Sequence, residues 1–162
     1  MPTYQAPVRD TEFILNEVIN IQEYAHLPGF AEATPDLISA VLAEGAKFVE
    51  EVTQPLNRVG DESGCTQNDD GSVATPPGFK EAYDQLVEGG WGGLSAAPEY
   101  GGQGLPHVIG CAFEEYMISA NMAFTMYVGL TQGAIAAISA VGSEEQKRTY
   151  LPKMVGGTWS GT

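Results

Sequence analysis

One stretch limits the fold more than any other: residues 121 to 141, "NMAFTMYVGLTQGAIAAISAV". It is apolar on nearly every face and rich in alanine and glycine. A helix over it has no side to give to water, so it predicts a central position surrounded by other helices. Asn121 is placed to cap its start, and Gly142 to close it.

The remainder of the chain supplies the surrounding helices. Phe13, Ile14, Val18 and Ile21 stand at helical spacing before Pro28-Gly29 breaks the pattern, which predicts a short helix separate from the rest. Thr34 reads as an N-cap with Pro35 at the first helical position, and Leu37, Ile38, Val41, Leu42, Phe48, Val49 and Val52 form one apolar stripe behind them. A long loop is expected from Leu56 to Pro77, then a shorter helix with Phe79, Tyr83, Leu86 and Val87 on one face. Pro106 opens a helix that carries Val108, Ile109, Ala112, Phe113, Tyr116 and Met117, with Glu114 and Glu115 on the side left to solvent. Ser143 and Gln146 form a capping box for a last helix. No strand is expected before the end, where "TWSGT" leaves the helical period and reads as the start of one. The fold class is therefore all-α, a bundle of about five to six helices.

Charge and cysteine usage exclude several partners. The 162 residues hold 21 acidic and 7 basic side chains, a net charge of -14, which disfavours nucleic acid and anionic membranes. The N-terminus has no basic and apolar leader, and the run "AIAAISAV" is too short for a membrane span. Cys65 and Cys111 make no CxxC pair and no disulfide framework, which suits a reducing, cytoplasmic setting.

Possible chemical motifs fail on their details. "PEYGGQGLP" lacks the lysine of a phosphate-binding loop and the spacing of a dinucleotide fingerprint. Aligning Gly71 with the glycine of a calcium loop puts Thr66 at the first ligand position and Pro77 at the obligatory glutamate, so Asp69-Asp70-Gly71 reads as a turn. His26 and His107 lie far apart and match no metal-ligand spacing. Adjacent Glu114 and Glu115 diverge on a helix and read as solvated rather than as an acid and base pair.

Taken together, "GGWGGLSAAPEYGGQGLP", "FEEYMISAN" and "GAIAAISAVGSEEQKRTYLPKMVGGTWSGT" resemble the N-terminal half of the acyl-CoA dehydrogenase family. "QPLNRVGDESGC" and "SVATPPGFKEAY" resemble the branch that includes methylmercaptopropionyl-CoA dehydrogenases. The resemblance implies an N-terminal extension over 1–33, a helical domain over 34–154 and the start of a middle β domain at 155–162, where the chain is expected to be cut. It implies FAD and an acyl-CoA substrate, an electron acceptor, and a homo-oligomer at full length. The flavin-contacting segment is expected after Thr162 and the catalytic glutamate on a C-terminal domain, so these residues alone are expected to be inactive. The glycine-rich turn is expected to be scaffold. The family's acyl-pocket wall falls on Thr125, Met126, Gly129 and Gly133, two of them glycines that leave room or let helices pack closely. A non-catalytic acidic helical interaction module is the alternative.

Overall fold

Helices α1 (Val8–Phe13), α2 (Pro35–Phe48), α3 (Gln54–Ser63), α4 (Phe79–Glu88), α5 (His107–Val141) and α6 (Glu144–Val155) carry the computed structural model, which describes residues 3–161. The outermost positions of the expected terminal segments, Met1, Pro2 and Thr162, lie outside the described residues.

Local chemistry sets the helix starts. The Thr34 hydroxyl accepts from Leu37 N at 3.3 Å with Pro35 in the first turn, and Ser143 and Gln146 bond reciprocally at the start of α6. The expected loop from Leu56 is corrected, because α2 runs on through a π turn, Val49–Thr53, into α3 as far as Ser63. Pro55 falls in the first turn of α3, where its missing N–H is tolerated.

The expectation of no early strand is corrected too. β1 (Thr66–Gln67) and β2 (Val73–Ala74) pair antiparallel beyond α3. The turn chemistry of Asp70, whose carboxylate accepts from both Ser72 N and Ser72 Oγ, closes this small hairpin.

The N-terminal helix does not stand apart. Leu15 and Ile21 are buried in the same core as Ile38 and Leu42, and Ala6 N donates to Glu50 Oε1 at 2.8 Å. The strand expected at Thr158 and Trp159 is absent among the described residues. Both N–H groups donate back to the Lys153 carbonyl, wrapping the segment around the end of α6, where the Lys153 ammonium sits 3.9 Å from the centre of the Trp159 ring.

The glycine-rich turn is held mainly by backbone bonds, with Gln103 Nε2 adding one to the Gly90 carbonyl at 3.2 Å. Five consecutive N–H groups, Gly101 to Leu105, donate to the carbonyls of Pro98, Ala97, Gly93, Ala96 and Leu94. Gly102 lies so close to the Ala96 carbonyl that a Cβ there would collide with it.

The central element differs most from a simple buried rod. Asn121 breaks α5 with φ -157° and ψ 90°, dividing it into limbs over 107–120 and 122–141. The Asn121 carboxamide caps the second limb by accepting from Phe124 N at 3.0 Å and donates to the Thr53 carbonyl at 2.9 Å, tying the bend to the junction of α2 and α3. By length and composition α5 would cross a membrane, with a mean hydropathy of 1.4 over its most apolar window, which the short run "AIAAISAV" alone does not suggest. The bend divides it, and 22% of that window is buried. The second limb is not surrounded: Phe124, Thr125, Thr131 and Ile135 are buried, but Met122, Met126 and Leu130 are more than half exposed at 57, 54 and 51%. Within the described chain, helices cover only one side of it.

Asn121→Ala removes a cap and leaves the buried Thr53 carbonyl without its side-chain donor. It is expected to cost about 2 to 4 kcal/mol by chemical denaturation. Asn121→Asp keeps the cap but buries a charge without the donor, and should also lower the melting temperature. Wild-type stability in both variants would show that the bend is set elsewhere.

Candidate functional site

The bend at Asn121 brings distant positions together. In an unbroken helix residues 114 and 129 would stand about 22 Å apart. Here Glu114 Oε1 lies 3.8 Å from the place a Cβ on Gly129 would take. Between the limbs and the end of α4 lies a cavity of about 80 Å³. Leu86, Leu94, Phe113, Met117 and Thr125 form its buried floor, and His107, Glu114, Gly129 and Gln132 stand at its more exposed rim. Trp91 stacks on Phe113 with ring centres 4.5 Å apart, closing one side with a flat apolar wall.

The polar groups around this cavity divide into satisfied and unsatisfied ones. Thr125 Oγ1 donates to the Asn121 carbonyl at 2.9 Å, and Gln132 Nε2 donates to the Gly92 carbonyl at 2.6 Å. The Ser95 hydroxyl lines the cavity, is buried, and has no partner among the described residues. The Glu114 carboxylate likewise has no hydrogen bond or ion pair among them; the residue is half-buried at the rim, and its oxygens keep contact with solvent.

Of the four wall positions carried over from the resemblance, Thr125 and Gly129 line this cavity. Met126 is turned to the outer face, and a Cβ on Gly133 would meet nothing within 4 Å. Neither glycine sits at a tight helix crossing among the described residues. His107 stands at the cavity rim, whereas His26 bonds locally to the Glu23 carbonyl. Trp91, Ser95 and Glu114 escape sequence reasoning, because their convergence depends on the bend rather than on spacing.

A second, larger hollow of about 430 Å³ lies between α4, the second limb and the C-terminal segment. Phe79 meets Phe124 and Tyr127 edge-on at 5.7 and 5.9 Å. Tyr83 donates its hydroxyl to the Gly157 carbonyl at 3.1 Å, and burial pushes its phenol above the usual range. Tyr127 is also raised, by burial and then by the Cys65 thiol 3.8 Å away. Lys80 is held by Asp84 at 2.6 Å.

At the two hollows the one acid and base in hydrogen-bond contact among the described residues are Lys80 and Asp84, an exposed ion pair. No group of three His, Cys, Asp or Glu side chains gathers to hold a metal among the described residues. The glycine-rich turn does not fit a flavin phosphate, since the N–H groups that could cradle one are all spent on protein carbonyls.

Residues 39–158 match the family model described as acyl-CoA dehydrogenase, N-terminal domain. The chain is 43% identical over 160 residues to a 3-methylmercaptopropionyl-CoA dehydrogenase of Ruegeria pomeroyi, covering 99% of this chain and 27% of that protein. It is 31% identical over 162 residues to a butyryl-CoA dehydrogenase of Syntrophomonas wolfei, covering 98% and 26%. A broad-specificity linear acyl-CoA dehydrogenase of Mycobacterium tuberculosis is 28% identical over 149 residues, covering 91% and 24%. The chain thus spans about a quarter of the length of these relatives.

The orphaned Ser95 hydroxyl gives a stability test of the cavity. Ser95→Ala removes a buried group that has no partner and should leave stability unchanged or raise it by up to about 1 kcal/mol. Gln132→Ala loses a satisfied bond and should cost about 1 kcal/mol. A melt in which Ser95→Ala is the more damaging of the two would mean that the hydroxyl is satisfied after all.

Proposed function

The chain belongs to the acyl-CoA dehydrogenase family, as its N-terminal domain, and from that premise we propose that it serves an FAD-dependent enzyme that dehydrogenates an acyl-CoA thioester between its α and β carbons. Its own contribution is one wall of the acyl pocket, on the second limb of α5. The observation that carries this reading is the apolar cavity beside Gly129, opened by a missing side chain and floored by Leu86, Phe113 and Met117.

When bound, FAD supplies an acceptor for the hydride leaving the β carbon, while a glutamate outside these residues takes the α proton. What the residues here do is simpler. Thr125 and Gly129 present a surface along which an acyl tail can lie, and the aromatic pair Trp91 and Phe113 excludes water behind it. The glycine-rich turn fixes the position of the α5 start relative to α4 without touching the ligand. An electron acceptor, a homo-oligomer at full length and a cytoplasmic location complete the reading, and the 162 residues alone are expected to turn over no substrate.

The test is acyl-CoA-dependent bleaching of the flavin in the full-length protein that carries these residues. Failure with both short and long acyl-CoA would overturn the assignment. Bleaching by the 162-residue chain alone would overturn the location of the base.

Gly129→Leu addresses the wall directly. Because a Cβ there would stand 3.8 Å from the Glu114 carboxylate, an ordinary contact, the variant should fold normally, and leucine improves helix propensity by about 0.8 kcal/mol. Filling the space should lower kcat/KM for long acyl-CoA more than for short, by about tenfold. An unchanged ratio with a lowered melting temperature would return Gly129 to the scaffold.

A further inference from the structure

We propose that Glu114 is a specificity-determining residue of this pocket, a carboxylate plug in the gap left by Gly129 that disfavours long apolar acyl tails. The inference rests on the acyl-pocket reading. Three observations converge on it. Among the described residues only Glu114 Oε1 comes within 4 Å of the place a Cβ on Gly129 would take, and both residues line the cavity rim. Glu114 has no protein partner among the described residues and depends on water for its solvation. The buried Ser95 hydroxyl, also without a partner, lines the same cavity and gives the carboxylate no hydrogen bond.

Physical consequences follow from tail length. A short acyl group can rest on the stripe through Thr125 and Gly129 without entering the cavity. A longer one must pass Gly129 and cover the carboxylate. Covering it strips water from a charge and offers nothing in return, which is costly in an apolar site. The neighbouring Glu115 points to solvent and plays no part.

The experiment measures kcat/KM for short and long saturated acyl-CoA in the full-length protein, comparing wild type with Glu114→Gln, Glu114→Ala and Glu115→Gln. Glu114→Gln keeps the size of the plug and removes its charge, so the long-to-short ratio should rise about tenfold. Glu114→Ala also opens the gap and should raise the ratio further. Glu115→Gln should leave it where it was. Since Glu114 makes no hydrogen bond or ion pair among the described residues, its variants should keep the wild-type melting temperature. An active wild type whose ratio stays the same in both Glu114 variants overturns the inference and leaves the acyl-pocket reading standing. A wild type that oxidises no acyl-CoA overturns that reading, and the inference with it.

Discussion

The carboxamide of Asn121 organises the molecule. One side chain, 1% exposed, ends one helical run by capping the next and hydrogen-bonds the carbonyl of Thr53, itself wholly buried. Asparagine suits the task because it offers an acceptor and a donor from one planar group, each needed on a different partner. Without the bend, α5 would be a single apolar rod with no reason to enclose anything. With it, two limbs lean together over α4, and the space between them becomes a cavity.

The same bend explains the unevenness of the surface. The first limb buries Ile109, Phe113 and Tyr116 against the N-terminal helices, with α2 drawn close at Gly45, where a Cβ would stand 2.9 Å from the Phe113 ring. The second limb is covered on one side only, by Phe79 against Phe124 and by Leu151 and Met154 against Ile135. Its other side, with Met122, Met126 and Leu130, keeps the apolar character of a core helix while facing outward. Residues suited to burial thus occupy an open face next to the stripe assigned to the acyl group.

Much of the architecture is legible in the sequence because it is set by local chemistry. Thr34 with Pro35, Asn121, and Ser143 with Gln146 each announce a helix start through a side chain acting on its own backbone within three residues. The Asp70 turn is readable for the same reason. What stays hidden is relational. The stretch from Leu56 looks like a loop until the π turn that carries the helix on to Ser63 is known. Thr158 and Trp159 look like a strand until their N–H groups are seen to return to Lys153. In the candidate site, Thr125 and Gly129 come from resemblance alone. Glu114 could not be found by periodicity, since its helical phase predicts solvent and only the approach of the second limb turns it toward a cavity.

The two tryptophans sit in contrasting places. Trp91 lies flat against Phe113 beside the cavity, whereas Trp159 is 40% exposed and held against a lysine at the end of α6. The chain therefore carries two native optical reporters with separate audiences. The emission of one answers to whatever enters the space between the limbs. That of the other answers to whatever meets the C-terminal turn.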